Sequence, residues 1–578
     1  MSKLWQKNNE VASAVEKFTI GNDQAMDQYL ASYDVLGSIA HITMLSEVGL
    51  LTADELVQLK KALVEIYQSI QDGKFTLAPG VEDIHSQVEI LLTSKLGDVG
   101  KKIHSARSRN DQVLVDIKLF LRAELIQLSA TVNDFFKLLQ TKSELHKNDL
   151  LPGYTHLQLA MPSSFGLWLG AYAESLVDDM TMLHAAYNVV NKNPLGSAAG
   201  YGSSFPINRT RTTELLGFET LNFNVVYAQM GRGKAERITA MAMANIADTL
   251  AKLSMDACLF MNQNFGFIQF PDSLTTGSSI MPHKKNPDVF ELIRSYCNRI
   301  KALPNEIMLM TTNLPSGYHR DLQLLKEHLF PAFGQLKNCI EMASLMIENM
   351  EVKKDLLADP KYQYLFSVEE VNKLVNAGMP FRDAYKKIGL AIEAGNFAYT
   401  REVKHTHEGS IGNLCTSQIA EQMNIIQSKM GAEKLLGRGD MLVRTMRDPE
   451  PIRAHGAFLS DSDVEDIVEM ASNQFVNYPQ LEVFETGDEE GGAGMDTGPR
   501  DDKFNDAAEL VVHAGSASTS MLQRRLGVGY ARAGKIIDQL EGAGVIGPPK
   551  GSKPREVLLN DTELMSFLSG DVDRIVLD

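Results

Sequence analysis

The chain is 578 residues long, with a formal net charge of −17, 44% hydrophobic and 22% charged residues. That length calls for several cores rather than one; the composition excludes global disorder, and the acidic balance excludes a protein that wraps nucleic acid over its whole surface. Four widely spaced cysteines with no C-x-x-C pair read as reduced thiols rather than a zinc ribbon, and the lack of a signal peptide or a membrane-length apolar run makes the cytoplasm the expected location.

In chain order, the first polar cluster is Y-D-V-L-G-S at 33–38, with Asp27 one helical face earlier, followed by E-D-I-H at 82–85 and K-K-I-H-S-A-R-S-R-N-D-Q at 101–112. No Gly or Pro interrupts residues 112–150, and Val113, Ile117, Leu121, Leu125 and Leu128 recur at helical spacing, which predicts one very long helix. A polar segment, L-P-G-Y-T-H-L-Q, follows at 151–158, and N-P-L-G-S-A-A-G-Y-G at 193–202. Further long helices are predicted over 235–264, 288–303 and 322–352, the last kinked or bounded at Pro331. Helices of this length pack as a bundle, and the polar segments between them are where reactive groups belong.

The string G-S-S-I-M-P-H-K-K-N-P-D at 277–288 carries the strongest chemical signal. A bare K-K-N-P run reads as a solvated basic turn, but here a mobile hydroxyl loop stands directly before an ammonium and an amide. Removing a proton from a carbon next to a carboxylate builds negative charge on the carboxylate oxygens, which Lys284 and Asn286 are suited to hold. Arg107, Arg109 and Asn110 offer donors for bidentate recognition of carboxylates, although R-S-R-N-D alone is equally a solvated helix start. His156 is of a residue type that can move a proton near neutral pH, whereas an isolated loop histidine is more often structural.

The 277–288 string resembles the signature of the fumarase and aspartase superfamily, whose members break C–N or C–O bonds and release fumarate. By that resemblance Ser278 is the general base. The 101–112 segment looks like the H-T-G-R-S-R-N-D-Q segment of argininosuccinate lyases, with Ala106 where the family carries Gly, and the 151–158 segment matches the family's second region. The likeness covers residues 3–425. It implies Ser278, His156, Lys284 and Asn286 as catalytic residues, with Asp27, Asp83, His85, Arg107, Arg109, Asn110, Thr155, Tyr318, Gln323 and Lys326 as substrate-binding residues. It further implies β-elimination of argininosuccinate to arginine and fumarate, without metal or organic cofactor, in a homotetramer whose sites draw on three subunits. The segments at 193–202 and at 405–413, H-T-H-E-G-S-I-G-N, are similar to family segments that shape the fold, and relatives carry a serine near Asp23 that is not matched here.

The likeness ends near residue 428. Segments at 430–442 and 452–464 resemble the end of the motor domain of FtsK-type DNA translocases, yet no G-x-x-x-x-G-K-[ST] phosphate loop occurs, so a working ATPase is excluded. Residues 518–535 resemble the winged-helix γ domain of those translocases, in which Arg524, Arg525, Arg532 and Lys535 would face DNA; the same pattern also fits an amphipathic helix with a solvated basic face. The expected architecture is therefore mainly α: a long-helix bundle of the fumarase/aspartase type with a C-terminal winged helix. Its parts are an N-terminal helical domain (1–105), the central bundle (106–355), a small helical lyase domain (356–427), a partial motor tail (428–484), a Gly- and acid-rich linker (485–502) and the DNA-binding domain (503–578). Competing readings are an adenylosuccinate lyase, which also favours M-P-H-K before Asn-Pro, and a DNA-binding protein whose lyase scaffold is not catalytic.

Overall fold

The structure, a computed structural model, describes residues 13–78, 80–429, 440–443, 452–455, 501, 503–526, 528, 530–547, 555–560 and 564. Two compact units divide the chain, Met1–Asp466 and Ile467–Asp578. Most of the expected motor tail and linker lies outside the described residues.

Five long helical segments make the heart of the first unit: Arg109–Leu145, Phe165–Val190, Lys234–Met261, Asp288–Ile300 continued by Leu303–Met310, and Leu325–Glu348. The first packs along the second and the last, and the third packs on the second, fourth and last. The expected bundle is thus observed, and its core is one continuous apolar cluster that includes Leu121, Leu125, Leu128, Phe165, Leu176, Leu250 and Phe333. Close approach of the first two helices depends on Gly166, where an added Cβ would stand 2.4 Å from the Ser143 carbonyl oxygen. Pro331 does not end its helix. It sits in the second turn of Leu325–Glu348, which continues past it, so the expected boundary is not there; the start near Leu325 is preceded by a short 3₁₀ turn, Arg320–Gln323.

The predicted loop at 153–158 is instead part of a β-hairpin, Leu150–Thr155 paired antiparallel with Gln158–Ser164. Its base is tied to the end of the long helix, since the Phe165 and Gly166 amides donate to the Asp149 and His146 carbonyls. At the N-terminal side, Ala31–Glu47, Ala53–Gln71 and Ile84–Leu96 pack against one another. Thr416–Lys429 lies on the first two bundle helices, with Gln427 bonded to Ser129. The four cysteines are free, and among the described residues no helix is long and apolar enough to cross a membrane.

Among the described residues the second unit holds three helices, Phe504–Ala514, Thr519–Leu526 and Tyr530–Gly542, around a core of Phe504, Val511, Leu522, Ile536, Leu540 and Ile546. Antiparallel bridges Ala517↔Arg555 and Ile546↔Val557 complete it.

Candidate active site

The Ile84–Leu96 helix begins at Asp83, whose carboxylate caps it by accepting from the Ser86 amide at 2.7 Å and, through its other oxygen, holds Arg109 at 3.2 Å. Arg109 is itself the first residue of the long helix, which Ser108 and Asp111 start with reciprocal capping bonds. Two helix starts therefore converge, and their polar residues face a cavity of about 260 Å³. Asp27, Asp83, His85, Arg109, Asn110, Tyr318, Gln323 and Lys326, all singled out in the sequence, line it together.

Within this cavity Lys326 is buried and bonded to Asp27 at 2.5 Å and Asp23 at 2.6 Å. Burial raises the Asp23 carboxyl against the pull of Lys326. Gln323 donates to the Thr19 and Ile20 carbonyls. Burial lifts the Asp83 carboxyl too, but His85 and Arg109 together bring it below its ordinary range. Four polar lining residues were given no role from sequence: Asp23, Glu82, Arg232 and Arg320. Arg320 is paired with Glu82 at 3.2 Å, and Arg232 with Glu236 at 3.2 Å. Asp23, near which relatives carry a serine, and Glu82, the first letter of E-D-I-H, stood within quoted segments, whereas Arg232 and Arg320 did not.

Arg107 is placed differently from its neighbours. It is buried, donates to the Ser38 hydroxyl at 3.0 Å and is not among the cavity-lining residues.

Ser278, His156, Thr155, Lys284 and Asn286 are also absent from that lining. Thr155 pairs with Gln158, and His156 and Leu157 between them form the two-residue tip of the hairpin, both with left-handed φ of 53° and 59° and both exposed. Such a tip normally takes Asn or Gly, so a histidine held there is strained, as reactive residues often are. The Ser278 hydroxyl oxygen accepts from the Ile280 amide at 3.3 Å and the Met281 amide at 3.1 Å. Two converging N–H groups stabilise an alkoxide there more than a neutral hydroxyl. The loop is pinched at its neck by a Thr276↔Asn286 bridge, where the Asn286 side chain also donates to Thr276 and to the Gly277 carbonyl at 3.3 Å. Lys284 is exposed on the same loop.

Distance separates the two groups. The 37-residue Arg109–Leu145 helix spans about 55 Å, with the cavity at its start and the hairpin beyond its end; a six-residue strand reaches back no more than about 20 Å. Tyr154 of the hairpin packs on Phe265 and Phe267, just past the end of Lys234–Met261 and on the way to the serine loop. His156 and Ser278 thus belong to one end of the bundle and the cavity to the other.

A helical bundle with a Gly-Ser-Ser loop and a histidine hairpin at one end and a cavity of paired charges at the other defines a lyase of the fumarase and aspartase kind. Residues 2–302 match the family model described as Lyase, and the chain belongs to that family. Within it the chain is similar to argininosuccinate lyases: it is 60% identical to that of Bacteroides fragilis over 443 residues, covering 75% of this chain and 99% of the relative. It is 38% identical to that of Thermotoga neapolitana, covering 67% and 97%. The fold is shared with an EDDS lyase solved in complex with formate (TM-score 0.57, 22% identity, 73% of this chain and 91% of that one) and with a class II fumarase from Schistosoma mansoni (TM-score 0.53, 16% identity, 74% and 96%). Residues 498–560 match the model described as Ftsk gamma domain. In that unit Arg525 and Lys535 are exposed, Arg532 is gripped by both carboxylate oxygens of Asp501 at 2.8 and 2.9 Å, and the Arg524 side chain lies outside the described residues.

Proposed function

We propose that the chain splits argininosuccinate into arginine and fumarate. The observation that carries this reading is the cavity in which Arg109 and Lys326 alternate with Asp23, Asp27 and Asp83. A substrate bearing carboxylates at several points together with an α-amino and a guanidinium group needs such alternation, whereas a purine would need an apolar, aromatic slot.

Ser278, its alkoxide favoured by the Ile280 and Met281 amides, takes a proton from the succinate carbon next to a carboxylate. Lys284 and Asn286 stabilise the dianion that forms; for this Asn286 must turn from its present bonds at the loop neck. The C–N bond then breaks as His156 gives a proton to the departing guanidino nitrogen. Asp27, Asp83, His85, Arg109, Asn110, Thr155, Tyr318, Gln323 and Lys326 hold the substrate, and Arg107 acts from behind them by fixing the turn into the long helix. Metal and organic cofactors have no step in this scheme. Because opposite ends of a roughly 55 Å helix must contribute to one site, the working form is a homotetramer in which neighbours run antiparallel. Leu292, Met308 and Leu309 on the bundle surface, each more than 40% exposed in the single chain, support such burial. The cytoplasm is the compartment this substrate implies. The domain limits expected from sequence stand as our division of the chain.

The test follows fumarate absorbance after argininosuccinate is added to the whole chain and to Ser278→Ala. Loss of a general base lowers kcat by roughly 10²–10⁴; an unchanged rate in the variant overturns the assignment of the base. A second reading concerns the C-terminal unit, where exposed Arg525 and Lys535 on consecutive helices favour contact with DNA phosphates.

A further inference from the structure

Behind the cavity, His85 is one of the most enclosed ionisable groups of the molecule. Its Nδ1 meets Asp34 Oδ1 at 2.8 Å and Asp116 Oδ2 at 3.6 Å, with both carboxylates completely buried. Asp34 comes from the Ala31–Glu47 helix and Asp116 from the long bundle helix. Gln112 donates to the same Asp34 oxygen at 2.8 Å and fixes the carboxylate's orientation. With Nδ1 turned inward, the opposite edge of the ring is what His85 presents to the cavity it lines.

We propose that Asp34 is a positioning residue for substrate binding: it holds His85 by Nδ1 as an imidazolium, so that Nε2–H donates to a substrate carboxylate beside Arg109. The inference rests on reading the cavity as the substrate site. A neutral imidazole bonded to Asp34 through Nδ1–H would turn a lone pair toward that carboxylate, and only the charged ring donates from both nitrogens. All the charged groups around it bear on the outcome. Asp34, Asp116 and Asp83 favour the cation, His104 opposes it, Arg107 acts on Asp34 and Asp116, and Asp27 acts on Asp116. Burial would by itself lower the imidazole, but the Asp34 charge and bond, then Asp116 and Asp83, push it up to about 9. Asp116, buried beside Asp34, is driven upward by desolvation and by that neighbouring charge, whereas His85, Arg107 and the Gln112 bond bring the Asp34 carboxyl below its ordinary range in spite of burial.

Asp34→Asn keeps the shape and removes the largest favourable charge, so His85 should lose its proton at a lower pH than in wild type. The KM for argininosuccinate, taken as a ratio of variant to wild type so that shared ionisations cancel, should be close to one at pH 6. It should rise with pH once the variant's His85 has lost its proton, at most about tenfold per pH unit, while kcat changes little. A ratio that does not vary with pH overturns the assignment of Asp34, whereas a wild-type chain that releases no fumarate overturns the lyase reading itself. If the Asn variant does not fold, fumarate titrated calorimetrically into wild type and His85→Gln carries the test. Wild-type affinity should fall as pH passes 9 and the variant's should be weaker and level; parallel pH profiles overturn the proposal.

Discussion

Arg232 and Glu236 make the most exposed energetic commitment among the single residues, because both are nearly inaccessible and each satisfies more than the other. Glu236 accepts from Arg232 and from the Gly233 amide at 2.7 Å, while Arg232 also reaches the Leu322 carbonyl at 2.9 Å. Removing one partner leaves an unbalanced charge out of water, which costs roughly 3–5 kcal/mol. Glu236→Ala should therefore lower the unfolding free energy of the first unit by that amount, read from urea titrations followed by far-UV circular dichroism, and a loss under about 1 kcal/mol would count against a buried pair. Ala106 shows another single-residue cost. It has φ of 60°, a conformation that glycine adopts freely and alanine only with strain, which explains why the family carries Gly there and what the substitution means physically.

Elements were legible from sequence wherever periodicity ran unbroken. The Arg109–Leu145 helix has no Gly or Pro after its cap, and its apolar stripe announced it. Phe165–Val190 went unmarked although it is 26 residues long. Gly166 and Gly170 at its start look like breakers in isolation, and only the nearness of Ser143 shows that they permit a close helix crossing. The hairpin was hidden for a similar reason, since its tip uses His and Leu where turn chemistry leads one to look for Asn or Gly. Cavity residues were found when they stood in compact motifs such as E-D-I-H. Asp34 sat in plain view within Y-D-V-L-G-S, but its meaning depends on two helices bringing it under His85 from 51 residues away, and no local pattern encodes that. Arg232 and Arg320 likewise acquire a place only through packing.

At the scale of the whole molecule, an acidic chain carries exposed Arg525 and Lys535 on its second unit. Arg532 is engaged by Asp501, so Arg525 and Lys535 remain as the phosphate-facing pair in our reading. Two phosphate contacts give a salt slope near −2, so duplex binding by the full chain should weaken about tenfold between 50 and 200 mM salt. Arg525→Ala with Lys535→Ala should flatten that slope in a mobility-shift titration, and binding that ignores salt would exclude phosphate contact. The length of the first bundle helix has a different reach. If, as proposed, neighbouring chains run antiparallel so that its two ends serve different sites, a chain disabled at Ser278 and one disabled at Arg109 carry their lesions into separate places. Co-refolded in equal parts, two inactive preparations should generate mixed assemblies in which some sites inherit both sound halves, and measurable turnover should return where neither parent has any.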